Sequence, residues 1–116
     1  MASPEPTMIA INNVLVDRAD EFEDWLRSVV VPASNERRPK SRGRWRVLRA
    51  TETHDDDVVV FAFVFEGGEP EDWELEPVLV EALGQDGAHN ALATFAGMLK
   101  GEQQSWAFAE VQLDDA

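Results

Sequence analysis

Val58-Val59-Val60-Phe61-Ala62-Phe63-Val64-Phe65 is an uninterrupted apolar run of β-branched and aromatic residues. A strand with one wet face alternates apolar and polar side chains, and this one does not. Both of its faces must therefore be covered. In a chain of 116 residues helices can supply one cover, and a second copy of the same chain is the natural source of the other. The run predicts a sheet with helices on one side and a subunit interface on the other.

The flanks extend the pattern. Residues 53–57 (THDDD) have turn chemistry and join the run to a preceding strand over 45–53, forming an antiparallel hairpin. Residues 8–16 (MIAINNVLV) read as the first strand. Asp17 follows as the expected N-cap of a helix whose apolar face is Phe22, Trp25, Leu26, Val29 and Val30, spaced i, i+3, i+4, i+7, i+8. Pro32 is expected to end or kink that helix, and 35–43 to form a polar loop. Beyond Gly67 and Gly68, Pro77 suits a first helical position and Gly84 a stop. A second helical stretch from residue 88 carries Leu92, Phe95, Ala96 and Leu99 on one side. Residues 105–113 (SWAFAEVQL) make the last strand. The expected division is a disordered tail over 1–7, one domain over 8–113 and a frayed end over 114–116.

Composition narrows the function classes. The chain has no cysteine, which removes disulfides, thiolate metal sites and a cysteine nucleophile together. The start has no basic segment followed by a long apolar one, so no secretory signal is read, and no stretch approaches the ~20 apolar residues of a membrane span. A cytoplasmic protein is the expectation. The net charge of −13 opposes binding to nucleic acid or anionic membranes. Arg37, Arg38, Lys40, Arg42, Arg44, Arg46 and Arg49 nevertheless crowd one segment. That segment reads either as a basic loop neutralised by acidic helix starts or as an entrance for an anionic ligand, with Arg46 among its contacts.

The element order β-α-β-β-α-β defines an α+β, ferredoxin-like fold. With the two-sided apolar strand and the chain length, it resembles the dimeric α+β barrel superfamily, which includes antibiotic-biosynthesis monooxygenases, stress-response barrel proteins and some polyketide cyclases. The resemblance spans residues 8–113 and implies a homodimer packed through the helix-free sheet faces, with a pocket between each sheet and its helices. Two segments stand out as markers: Asp72-Trp73-Glu74-Leu75-Glu76-Pro77, and Gly101-Glu102-Gln103-Gln104-Ser105-Trp106. In the cofactor-independent oxygenases of this resemblance, a strand Asn and a Trp hold an aromatic substrate while it forms a carbanion and meets oxygen. Asn12 or Asn13, with Trp45 or Trp106, would take those parts here.

Several other residues are candidates on their own chemistry. Asn12 and Asn13 interrupt an apolar strand, and a buried amide must be hydrogen-bonded. His89 is a candidate general base. Trp45, Trp106, Phe95 and Trp73 are large rings suited to a ligand pocket or an interface. His54 precedes three aspartates, yet consecutive turn residues rarely converge on one ion, so no metal is expected. The chain lacks tyrosine, a P-loop, a dinucleotide fingerprint and a GxSxG elbow. No cofactor is expected. Two functions follow: an oxygenase or cyclase acting on a flat aromatic, polyketide-like substrate, or a non-catalytic dimeric module that binds a hydrophobic or anionic small molecule or a protein.

Overall fold

The computed structural model describes residues 7–52, 57–67, 74–111 and 113. Four antiparallel strands form one sheet: β1 (Thr7–Leu15), β2 (Trp45–Arg49), β3 (Val58–Glu66) and β4 (Gln104–Phe108), in the order β2-β3-β1-β4. The central pair carries the two long apolar sequences, as burial on both flanks demands. Register is continuous across the sheet, with Ala10 opposite Phe63 on one side and Ser105 on the other. Phe63 is in turn opposite Val47. Most of the expected 53–57 turn lies outside the described residues, but the β2–β3 hairpin itself is present.

Partners in an antiparallel ladder share a face, so the register assigns every side chain. Ala10, Asn12, Val14, Val47, Val59, Phe61, Phe63 and Phe65 face the helices. Ile9, Ile11, Leu48, Val60, Ala62, Val64 and Trp106 face the other way. Of the neighbours Phe63 and Val64, it is Val64 that points to the helix-free face. The core gathers on the helix side around Phe22, which is fully buried. Its ring lies 4.9 Å from Phe61, 6.0 Å from Phe95 and 6.2 Å from Phe63, within the range of favourable aromatic pairing.

The helical layer departs from expectation in three places. Asp17 caps nothing: it lies in a 3-10 turn, Val16–Arg18, and α1 (Ala19–Trp25) follows without a side-chain cap. Pro32 does not end the helix. A π-helical turn, Leu26–Val30, carries α1 straight into α2 (Val31–Arg37), and the Val31 N–H reaches back five residues to the Leu26 carbonyl. This wider turn relieves the approach of the proline ring to the carbonyl four residues before it, where an α-helix would clash. The first part of the expected 35–43 loop, up to Arg37, is therefore helix, followed by a 3-10 turn over Pro39–Ser41. Strands β2 and β4 are also shorter than the sequence suggested. The last helix, α3 (Leu75–Gly97), is broken at Gly84, whose φ of 78° and ψ of 171° are not helical. Below it the chain is locked onto β1: Leu15 N–H donates to the Met98 carbonyl at 2.9 Å and Lys100 N–H to the Asn13 carbonyl at 2.7 Å. No described helix is long and apolar enough to cross a membrane.

Candidate functional site

Between the sheet and the helices lies a cleft of about 650 Å³, within the size range of small-molecule sites. Its floor is the helix-facing side of the sheet, read strand by strand. β2 supplies Trp45, β3 Phe63 and Phe65, β1 Met8 and Ala10, and β4 Ser105, with Gln103 just before it. Val30 and Ser34 of the α1–α2 rod, the start of α3 and then Leu92 and Phe95 complete the walls. Two neighbouring floor residues, Ala10 and Ser105, are small and leave room above them.

The floor is graded. At the β2–β3 end Trp45 and Phe65 stack with centroids 6.1 Å apart and planes at 29°, while Phe63 meets Phe65 edge-on at 6.2 Å. At the β4 end the side chains are amide and hydroxyl. Asn12 lies behind them with 0% of its surface exposed. Its Nδ2 donates to the Phe61 carbonyl at 3.4 Å, and its Oδ1 accepts from Gln103 Nε2 at 2.8 Å. The charged side chains among the described lining are Glu74 and Glu76.

The structure thus brings together some of the residues that sequence singled out and separates others. Trp45 and Phe95 line the cleft, and Asn12 reaches it through Gln103. Asn13 is on the opposite face, opposite Val60. Trp106 does not line the cleft: paired with Ile9, it stands on the helix-free face, half exposed. His89 is exposed on α3, away from the cleft lining. Arg46 is also outside the cleft, on the helix-free face of β2, where it pairs with Glu66 at 3.6 Å. Trp73 and His54 lie outside the described residues. Sequence reasoning missed Phe65, Gln103 and Ser105 as cleft residues. The signal was present in Ser105-Trp106-Ala107-Phe108, whose small and large residues alternate with the period of a strand.

Four arginines of the basic segment, Arg37, Arg38, Arg46 and Arg49, face acids rather than the cleft. Arg38 bonds Glu81 at 2.7 Å across the helical layer, and Arg49 lies 3.4 Å from Asp20 and 3.3 Å from Glu23. Arg49 also sits 5.6 Å over the Phe61 ring. Among the described residues no group of three or more His, Asp or Glu converges as a metal site would require.

No family model matches this sequence, and no match was found among curated proteins. Solved structures do match over nearly the whole chain. HapK from Hahella chejuensis is 18% identical, with 96% of this chain and 97% of that one covered and a TM-score of 0.52. An antibiotic biosynthesis monooxygenase-like protein from Nitrosomonas europaea is 12% identical, with coverages of 97% and 96% and a TM-score of 0.52. A NIPSNAP family protein of unknown function from Agrobacterium tumefaciens is 5% identical, with coverages of 99% and 96% and a TM-score of 0.58. The chain shares the α+β, ferredoxin-like fold of these structures. At these identities the likeness is one of fold, and fold does not carry function with it.

Proposed function

We propose that this protein, as a homodimer, binds a flat and largely apolar small molecule in the sheet–helix cleft and oxygenates it without a bound cofactor. The observation that carries the reading is the stacked Trp45–Phe65 pair on the cleft floor, with Phe63 beside it. Such faces complement a planar π system, and a mostly apolar cleft with a few placed polar groups is the usual make-up of an organic-ligand site. The carboxylates Glu74 and Glu76 in the lining favour a neutral ligand over an anion. Arg38, Arg46 and Arg49 already face carboxylates of the same chain.

The oxygenase reading draws on the monooxygenase-like names among the structural neighbours and on what the cleft contains. No histidine, lysine or arginine lines the described cleft, so the reacting electrons and much of the acidity must come from the substrate. A methylene held between two aromatic rings meets that need. It loses a proton to Glu74, Glu76 or water, and the carbanion reduces dioxygen. One oxygen atom ends as the new ketone and the other leaves as water.

Anthrone is a suitable probe, because C14H10O plus O2 gives C14H8O2 plus H2O with no further reductant. Titration should quench tryptophan fluorescence to saturation, since Trp45 lies on the floor, and oxygen uptake should exceed the uncatalysed rate. Saturable binding with no excess uptake would instead support the non-catalytic binding module. No binding at all would remove the cleft from consideration as a small-molecule site.

A further inference from the structure

We infer that Gln103 reads the ligand in this cleft, and that the ligand presents it with a hydroxyl or N–H donor; the inference rests on the small-molecule reading above. The argument starts at the Phe61 carbonyl, which can only accept a hydrogen bond. Asn12 must therefore turn its nitrogen toward β3, as the 3.4 Å contact from Nδ2 records. The same rotamer turns Asn12 Oδ1 toward β4, and that oxygen can only accept. Gln103 must meet it with nitrogen, as it does at 2.8 Å. Both amides are thus oriented by one backbone carbonyl, with no freedom to flip. The consequence falls on the atom at the end of the chain: Gln103 Oε1 has no partner among the described residues, and Gln103 lines the cleft.

The sheet places this acceptor usefully. Gln103 lies one residue before the Gln104↔Ile11 pair, so it sits beside Asn12, on the same face as Ser105. Trp45 is level with Phe65, and Gln103 with Asn12 and Phe61, so they are three inter-strand gaps and four residues apart, roughly 20 Å between backbones at ~4.8 Å per gap and ~3.3 Å per residue. Phe63, level with Ala10 and Ser105, is nearer to Gln103, about 12 Å away by the same measure. A flat ring system lying over Phe63 turns its edge toward Gln103. In the free protein the exposed Oε1 is hydrated. A ligand that displaces that water without offering a donor leaves the acceptor unpaired, whereas a donor restores the bond, and this asymmetry produces discrimination. Asn12 touches no ligand and acts as a positioning residue.

The test uses the full-length protein and two probes that differ only at the donor, 2-naphthol and 2-methoxynaphthalene, with tryptophan quenching as the readout. Wild type should bind the naphthol about fivefold more tightly than the ether, the ratio expected for one net hydrogen bond. Gln103→Leu, at an exposed position, should bring the two within about twofold by weakening the naphthol alone. Asn12→Ala should also narrow the ratio while ether binding persists; a packing defect would weaken both probes together. Equal binding of the two probes by wild type, or a ratio unchanged in Gln103→Leu, overturns the role of Gln103 and leaves the cleft reading standing. Failure of wild type to bind either probe overturns both.

Discussion

Trp45 and Trp106 are one residue type in one sheet, and the pleat sends them to opposite faces. Asn12 and Asn13 part in the same way, one buried behind the cleft and the other on the helix-free side. Which member of each pair serves the site was not legible from residue type, because a one-residue shift of register exchanges the faces of a whole strand. Ion pairs were legible only as opposing charge runs, and the structure picks out Arg38–Glu81 among them. The hydrogen bond from the Arg38 guanidinium is the main reason that the Glu81 carboxyl is held below its ordinary value of 4.5. The folded chain then binds that proton more weakly than the unfolded chain does. The pair's contribution is complete above the unfolded value and fades as pH falls through the lower folded one. Glu81→Gln should therefore lower the melting temperature slightly near pH 7 and not at all near pH 2, the effect being small because both side chains touch solvent. An equal deficit at both pH values would show that the carboxylate charge contributes nothing.

At the scale of elements, the β-α-β-β-α-β order was legible, because apolar period and turn chemistry are local signals. What was not legible was how the chain passes its punctuation. Pro32 signals a stop, and the π-helical turn before it lets the rod continue to Arg37. Gly84 also signals a stop, and here the local reading was close. Helix resumes at once on its far side, but Gly84 itself adopts a backbone conformation essentially reserved for glycine. A Cβ built at Gly84 would meet nothing within 4 Å, so substitution there measures backbone strain alone. Gly84→Ala should cost about 1–3 kcal/mol in urea unfolding, with an unchanged dependence on denaturant. Gly97→Ala is the control. Its Cβ also meets nothing within 4 Å, and without positive φ it should be neutral or slightly stabilising. Equal effects at the two glycines would mean that the break in α3 carries no strain and the helix simply straightens.

At the scale of the molecule, the apolar character of 58–65 divides cleanly between two faces. Val59, Phe61 and Phe63 belong to the core under the helices; Val58 and Val64 are buried yet lie outside that core, shielded by neighbours on the helix-free face. Around them that face carries Ile9, Ile11, Val60 and Ala62, flanked by Leu48 at 49%, Trp106 at 49% and Phe108 at 47% exposure. An apolar surface of this continuity is the kind that soluble proteins cover, and a twofold pairing of identical faces covers it on both copies at once. The protein should therefore run as a dimer at micromolar concentration in light scattering. Leu48→Lys together with Trp106→Lys should yield monomer, because both side chains are already half exposed in one subunit and their replacement leaves its core untouched. The charges would be driven into the two apolar margins of the interface, where each one left buried and unpaired costs several kcal/mol. Because the cleft lies on the opposite side of the sheet, the same double variant should still bind a flat probe through Trp45. A monomeric wild type would sink the pairing; a dimer that survives both lysines would move the interface to another surface.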